Sequence, residues 1–304
     1  MRTGIEVWTQ NKAGSQKASG GRARGGQRES LAMKCVLAIA GSDPLGSAGV
    51  QADIKAAAAL GVHAAAVITS VTAQNSRGLK GVQWIAPQFI KAQAQAVIEQ
   101  VVPDAVKIGM LGTGEAIVAV AEILEEYHLS PVVLDPVLKA SGGGNLLDPG
   151  AVDVLKSKLL PLVDVVTPNI AEAEALSGRR IQGKEGMLEA AQRIAAMGVA
   201  VVVTGGHLDA SSSDLVYESG KFIWVEGQRL PATNTRGTGC VFSTAMACYM
   251  ANGKNVFEAT KRAHEFVRFA IMYSYPLGKG KGPINPLGDP SRKAFVCLHG
   301  DSTC

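Results

Sequence analysis

Short β-branched runs alternate with helical stretches along most of the chain, and this alternation limits the fold more than any other feature. The runs are Val36 to Ala40, Ala66 to Val71, Ala105 to Ile108, Val132 to Leu134, Val163 to Val166 and Val199 to Val203. Stretches of helical character separate them, at about 47–60, 87–100, 114–127, 150–160, 171–177 and 184–197. Continuous apolar strands joined by crossover helices predict a mostly parallel sheet covered on both faces. Tyr217 and Phe222 to Val225 flank Glu218-Ser219-Gly220, which predicts an antiparallel hairpin at one sheet edge. Two long helices, about 238–252 and 255–273, then follow. The fold expected is α/β, layered helix–sheet–helix, with a small antiparallel edge. No internal repeat is evident, and no Pro/Gly linker separates regions of different composition. Residues 33–286 are therefore expected to form one domain.

Composition agrees with that reading. Aromatic residues make up only 5% while glycine occurs 35 times, so the core must be built from Val, Ile, Leu and Ala between tight turns. Residues 1–32 are Gly-, Ser-, Arg- and Gln-rich with little to bury and are expected to be a disordered basic arm. Two explanations stay open: a transit-like leader, or a start assigned too early with Met33 opening the protein. Residues 287–304 are expected to be a loose tail. The formal charge of +4 resides in the arm, since residues 1–33 hold six Lys/Arg against two acids. The remainder is neutral, which removes the electrostatic case for nucleic-acid or membrane binding. The cysteines are Cys35, Cys240, Cys248, Cys297 and Cys304, with no C-x-x-C pair and no metal-ligand spacing. Reduced thiols and a cytoplasmic location follow as the expectation, with Cys248 in the core. No apolar run reaches the roughly 18 residues of a transmembrane helix, and nothing at the N-terminus reads as a signal peptide.

In an open parallel sheet, ligands sit beyond the C-terminal strand ends. After the first strand comes Gly41-Ser42-Asp43-Pro44-Leu45-Gly46-Ser47-Ala48-Gly49. It matches neither a Walker A loop nor a G-x-G-x-x-G fingerprint. It is either a plain Gly-rich connection or a turn that lets a flat ligand approach the backbone. Thr72-Ala73-Gln74-Asn75-Ser76 is expected to follow the second strand, with amides able to read a heterocycle. Asn169 and Glu172 have the spacing of a helix N-cap and its capping-box partner. The same two oxygen donors suit hydrated Mg²⁺ on a nucleotide, and the two readings are compatible. Gly205-Gly206-His207 follow the sixth strand, and Gly278-Lys279-Gly280-Lys281-Gly282-Pro283 lie near the end.

Asn234-Thr235-Arg236-Gly237-Thr238-Gly239-Cys240 turns through two glycines into an apolar helix. Backbone N–H groups at such a helix start lack intrahelical acceptors, and with the helix dipole they form an anion site. A thiol at the helix entry is expected to lose its proton more easily than a free one. An ordinary helix start with a buried cysteine is the alternative. A metal-holding N-x-x-E and a Gly-rich anion cradle together point to phosphoryl transfer.

The ordered set AGSDPLGSAGVQAD (40–53), TSVTAQN (69–75), VKIGMLG (106–112), VVLDPV (132–137), VTPNIAEAEAL (166–176), VVVTGGHL (201–208), NTRGTGC (234–240) and GKGKGP (278–283) resembles the hydroxymethylpyrimidine/phosphomethylpyrimidine kinases. These are thiamine-biosynthesis enzymes of the ribokinase-like superfamily. The resemblance spans roughly residues 34–285 and implies a ribokinase-like three-layer sandwich. It implies transfer of the ATP γ-phosphoryl group to 4-amino-5-hydroxymethyl-2-methylpyrimidine and then to its monophosphate. ATP and Mg²⁺ are the implied cofactors, a monovalent cation is left open, and a homodimer is expected. By the same resemblance Gly41, Asp43 and Gln74 contact the pyrimidine. Relatives often carry valine at Thr72, so a backbone contact there survives the change. Asn169, Glu172, Thr204 and Gly206 serve the nucleotide, with Glu172 reaching Mg²⁺ through water. Gly237, Thr238 and Gly239 form the anion hole, and Cys240 stands where sugar kinases of the superfamily carry an aspartate base.

Two departures bear on the second phosphorylation. Relatives usually carry a lysine at Thr204, and losing one desolvated charge at a phosphate costs about 2–5 kcal/mol if nothing replaces it. Lys139 sits earlier than the lysine that relatives carry after Asp-Pro-Val. Lys139, Lys279 and Lys281 are the candidates to compensate. The competing functions are a pyridoxal kinase of the same superfamily and a catalytically silent pyrimidine-binding regulator. Gln74 and the 40–49 loop favour the pyrimidine. The presence of Asn169, Glu172 and Cys240 favours an enzyme.

Overall fold

The computed structural model describes residues 33–139, 144–205 and 211–288. The arm expected over 1–32, Gly206 and most of the expected tail lie outside these residues. Nine strands form one sheet in the order β3-β2-β1-β4-β5-β6-β7-β8-β9. They are β1 (Cys35–Ser42), β2 (His63–Asn75), β3 (Gly78–Trp84), β4 (Ala105–Ile108), β5 (Val132–Leu134), β6 (Val165–Val166), β7 (Ala200–Val203), β8 (Ser211–Glu218) and β9 (Lys221–Gln228). β2, β1, β4, β5, β6 and β7 run parallel. β8 and β9 form the expected hairpin and pair antiparallel beyond β7.

Alternation along each strand assigns its side chains to two helix layers. Leu37, Ile39, Val106, Ile108, Val132, Leu134, Val201 and Val203 face one layer. It contains α2 (Pro87–Ile98), α3 (Gly114–Tyr127), α4 (Ala151–Val154), α5 (Ile170–Ser177) and α6 (Gly183–Ala195). Val36, Ala105, Val133, Val165 and Val202 face the opposite layer, made by α1 (Gly49–Ala59), α7 (Thr238–Ala251) and α8 (Val256–Met272). The architecture is thus the three-layer α/β/α sandwich. α7 is buried almost all round, from Val241 to Cys248, because α1 and α8 flank it on the sheet. Cys248 lies in that core, as expected.

Two elements differ from the sequence reading. The helix expected over 150–160 is α-helical only at Ala151–Val154, then widens to a π-helical turn at Leu155–Leu159 and tightens at Leu160–Leu162. Pro161 sits inside that last turn and provides no N–H to continue the ladder. The larger difference is β3, a second antiparallel edge. It pairs with β2 from Ser70↔Trp84 to Asn75↔Gly78. Consequently Thr72, Gln74 and Asn75 lie within β2 and not in a loop after it. Gly-Leu-Lys-Gly-Val-Gln-Trp leaves every position at least partly exposed, so the apolar signal that marks a buried strand is missing.

Candidate active site

The parallel strands all end on one rim, and backbone hydrogen bonds stitch their exits together. Gly109 N donates to Ile39 O at 2.8 Å, Asp135 N to Ile108 O at 2.8 Å, Thr167 N to Leu134 O at 2.8 Å and Thr204 N to Pro168 O at 2.9 Å. Asn169 and Thr204 therefore stand side by side, joined by a parallel bridge. The β2–β3 ribbon runs past the end of β1 and rises from the same rim.

The loop after β1 is organised by Asp43, whose carboxylate is buried. It accepts from Leu45 N at 3.1 Å, Ser47 N at 3.1 Å and Ala48 N at 2.9 Å. Arg236 Nη2 lies 3.5 Å from the same carboxylate. Asp43 thus shapes the loop from within, which differs from the direct pyrimidine contact expected of it. Gln51 clamps the loop from α1, accepting from Asp43 N at 2.9 Å and donating to Ser42 Oγ at 2.7 Å. Thr72 donates its hydroxyl to Ser42 O at 2.9 Å. Gly41 has no room for a side chain, since a Cβ there would lie 2.6 Å from Ser70 Oγ.

α7 begins beneath this loop. Gly237 caps it at φ +89°, and a Cβ at Gly237 would fall 2.0 Å from Ser47 O. The two loops touch at that point. Val241 N donates to Gly237 O at 3.0 Å, the first bond of the helix ladder. The N–H groups of Thr238 and Gly239 precede it and have no acceptor within the helix. Behind this helix start lies a buried polar cluster. Lys107 Nζ is 3.0 Å from both carboxylate oxygens of Asp53, and Thr244 donates to Asp53 Oδ1 at 2.8 Å. Ser243 Oγ lies 3.3 Å from Asp135 Oδ2, which faces the Cβ position of Gly239 at 3.8 Å.

The thiol of Cys240 corrects one expectation. Burial pushes its pKa up to about 12, and Asp53 and Asp135 push the same way. The opposing pull of Lys107 and the N–H of Gly49 is too weak to reverse this. A helix N-terminus favours a thiolate only where solvent or a net positive surrounding supports it. Here two carboxylates share the pocket, so Cys240 is a thiol in the ligand-free protein. Burial alone would lower the Lys107 ammonium, but Asp53 first, and Cys240 and Asp135 after it, hold it above its ordinary value.

Across the rim, Asn169 and Glu172 form the complete capping box. Glu172 N donates to Asn169 Oδ1 at 3.1 Å, and Asn169 N to Glu172 Oε2 at 3.0 Å. Glu172 Oε1 also accepts from Leu138 N at 3.4 Å. Burial, and then the nearby charge of Asp135, raise the Glu172 pKa to about 8. Among the described residues no three His, Cys, Asp or Glu side chains gather as a metal cage. Thr204 lies at the β7 exit beside Asn169, while Lys139, Lys279 and Lys281 are exposed. The 278–284 segment returns to the site, with Arg236 N donating to Gly282 O at 3.2 Å and Ile284 N to Arg236 O at 3.2 Å.

Asp53, Lys107 and Asp135 were not singled out from the sequence, although all three lie in its quoted motifs. A signal existed for Lys107: it interrupts the apolar run Ala105-Val106-Lys107-Ile108, where a charge is costly unless paired. A surface groove of about 710 Å³ opens between α2, α3 and α4, lined by Lys91, Glu115, Val118, Glu122 and Val154. It holds none of these groups, so the chemistry belongs to the rim.

A three-layer sandwich that brings a glycine-containing helix start and a capping-box carboxylate to its strand-exit side, with no Walker A loop, fits one class, the phosphotransferases that work without such a loop. The particular family follows from comparison: the chain belongs to the phosphomethylpyrimidine kinase family, whose model matches residues 43–285. It is 46% identical over 252 residues to the thiamine biosynthesis bifunctional protein ThiED of Geobacter sulfurreducens, covering 82% of this chain and 51% of that protein. The chain thus spans about half of that bifunctional relative. It is 39% identical to the hydroxymethylpyrimidine/phosphomethylpyrimidine kinase of Streptomyces coelicolor, covering 82% of this chain and 93% of the relative. Among solved structures it superposes on Bacillus subtilis pyridoxal kinase in an ADP complex, with a TM-score of 0.78, 36% identity and coverage of 84% and 97%. Phosphomethylpyrimidine kinase of Clostridium difficile gives a TM-score of 0.70 at 36% identity, with coverage of 78% and 99%.

Proposed function

We propose that this protein transfers the γ-phosphoryl group of ATP to the hydroxymethyl oxygen of 4-amino-5-hydroxymethyl-2-methylpyrimidine, and a second one to the resulting monophosphate. The observation that supports the reading is that Asp135 links the two groups: its carboxylate lies 3.8 Å from the Cβ position of Gly239 at the start of α7 and is near enough to Glu172 of the capping box to raise its pKa. In this reading a flat ring binds beside the backbone of Gly41, which packs closely against Ser70 and Met110, and Gln74 of β2 reads its edge. The anion hole binds the transferring phosphoryl group, where charge develops. Phosphoryl transfer depends on positioning and charge neutralisation more than on a strong base. To act as the base, Cys240 first gives its own proton to solvent, and Lys107 behind it favours that thiolate; the thiolate then takes the acceptor proton late in the transfer and returns to the thiol. Asn169 and Thr204 face the nucleotide, and Gly206 belongs to the same reading from the sequence.

Glu172 and Asp135 are buried acids: burial and then the charge of Asp135 raise the pKa of Glu172, while burial and then Asp53 raise that of Asp135, an arrangement that a divalent cation relieves. The sequence reading assigns Asn169 and Glu172 to Mg-ATP, Glu172 through water; Asp135 joins them in this proposal, and the bound ion would neutralise phosphate charge. The homodimer rests on family resemblance. No helix of the described residues is long and apolar enough to cross a membrane. A cytoplasmic location is supported by the free thiols of Cys35, Cys240 and Cys248. Residues 33–286 are taken as the working domain.

Mass analysis of products from the pyrimidine with Mg-ATP tests the reading, on the full chain and on a chain begun at Met33. Monophosphate and diphosphate are expected from both. Binding of the pyrimidine without ADP release would instead favour a silent regulator. The second reading, pyridoxal kinase, is favoured by the closer superposition on the Bacillus subtilis enzyme. Turnover of both acceptors side by side decides it, and a clear preference for pyridoxal overturns the pyrimidine assignment.

A further inference from the structure

We infer that Arg236 is the specificity residue for the second phosphorylation, binding the phosphate of the monophosphate acceptor beside the anion hole. This deepens the proposed function and rests on it. Arg236 immediately precedes Gly237, and its backbone is pinned on both sides by the 282–284 segment. Its side chain is only 13% exposed and lies between the loop after β1 (the acceptor loop) and the β2–β3 ribbon that carries Gln74. Nη1 donates to Asn75 O at 3.3 Å, and Nη2 stands 3.5 Å from Asp43. Both contacts are long. Nε is buried and has no partner among the described residues. A guanidinium with a buried, unpaired N–H is a group whose hydrogen bonding is unfinished.

Charge accounting points the same way. Thr204 brings no charge to the rim. Lys107 is bound face-on to Asp53 and fully buried. Lys139, Lys279 and Lys281 are exposed, where their charge is screened. Arg236 combines a fixed charge, partial burial and attachment to the anion-hole loop. The carboxylate of Asp43 is already engaged by three backbone N–H groups at 2.9–3.1 Å, so its hold on Arg236 at 3.5 Å is the weakest of its contacts. The planar fork of arginine suits a phosphate in bidentate geometry.

The two steps differ in what they ask of the site. The first acceptor is a neutral alcohol. In the second, an oxygen of the acceptor phosphate attacks the γ-phosphorus, the bond from that phosphorus to the β,γ-bridging oxygen breaks, and ADP leaves with the electron pair. The attacking group is an anion approaching another anion. A cation beside the anion hole helps that encounter far more than it helps the neutral alcohol.

The test compares kcat/KM for the two acceptors in Arg236→Gln and Arg236→Lys, with Mg-ATP saturating. The ratio of second-step to first-step kcat/KM is expected to fall at least tenfold in Arg236→Gln, chiefly through KM for the monophosphate. Arg236→Lys, which keeps charge but loses the fork, is expected to fall at least threefold, and it carries the test if the glutamine variant does not fold. A merely structural role would lower both steps together, and an unchanged ratio overturns the inference. Wild-type protein that makes monophosphate but no diphosphate also overturns it. Wild-type protein that phosphorylates neither compound rejects the proposed function as well.

Discussion

Cys240 stands at the first turn of α7, yet the charges around it outweigh the helix dipole. Asp53 and Asp135 are close enough to raise its pKa, and only Lys107 opposes them among side chains. The sign follows from the thiolate being the charged form, so burial and neighbouring carboxylates favour the protonated state. Alkylation of Cys240 by iodoacetamide, followed by peptide mass spectrometry, checks this. At pH 8 the rate should be roughly thirtyfold or more below that of a free thiol, because the loss of thiolate exceeds the gain in nucleophilicity. The rate should keep climbing through pH 10, beyond the 9.0 at which an ordinary thiol is half ionised. A plateau reached below pH 8 would show an activated thiolate and sink this account. The residue types at this position were legible from the chain, but the protonation state was not. It depends on Asp53, Lys107 and Asp135, which come from separate elements.

At the scale of elements, the join between the acceptor loop and α7 is the contact on which the site depends. Gly237 adopts φ +89° and approaches Ser47 O so closely that a Cβ would lie 2.0 Å away. Gly253, just past the other end of α7, has φ +77° and open space around it. Alanine at either position strains the backbone by about 1–3 kcal/mol. Only Gly237→Ala must also push the loops apart. Gly237→Ala is therefore expected to lower turnover at least tenfold, whereas Gly253→Ala loses stability alone; comparing turnover with thermal unfolding separates them. Equal turnover in the two variants would mean that the loop contact does not shape the anion hole. The capping box of Asn169 and Glu172 was readable because its partners are three residues apart and nothing distant is needed. β3 was not readable, because its exposed, Gly-containing sequence becomes a strand only through pairing with β2.

Across the whole molecule, one buried pair fastens the sheet to the helix layer that carries the site. Lys107 leaves the interior strand β4, Asp53 belongs to α1, and Thr244 of α7 completes the cluster. Both charges are fully buried. Lys107→Met would leave Asp53 buried and unpaired, at an expected cost of about 3–5 kcal/mol in denaturant unfolding. Adding Asp53→Leu should restore much of that stability, since an apolar pair of similar volume often substitutes well. A single-variant loss below about 1 kcal/mol would show that the pair is not held as described. The amino-acid sequence by itself determined the α/β class, the alternation of the parallel strands with helices, the hairpin β8–β9 and the capping box of α5. Those features follow from hydrophobic period, turn residues and caps, all of which act over a few neighbouring residues. Tertiary structure alone decided that Asp43 serves its own loop, that Cys240 is protonated, and that Arg236 lies between the loop after β1 and the β2–β3 ribbon. Each depends on groups far apart in the chain that burial forces together, where the absence of water makes their charges count.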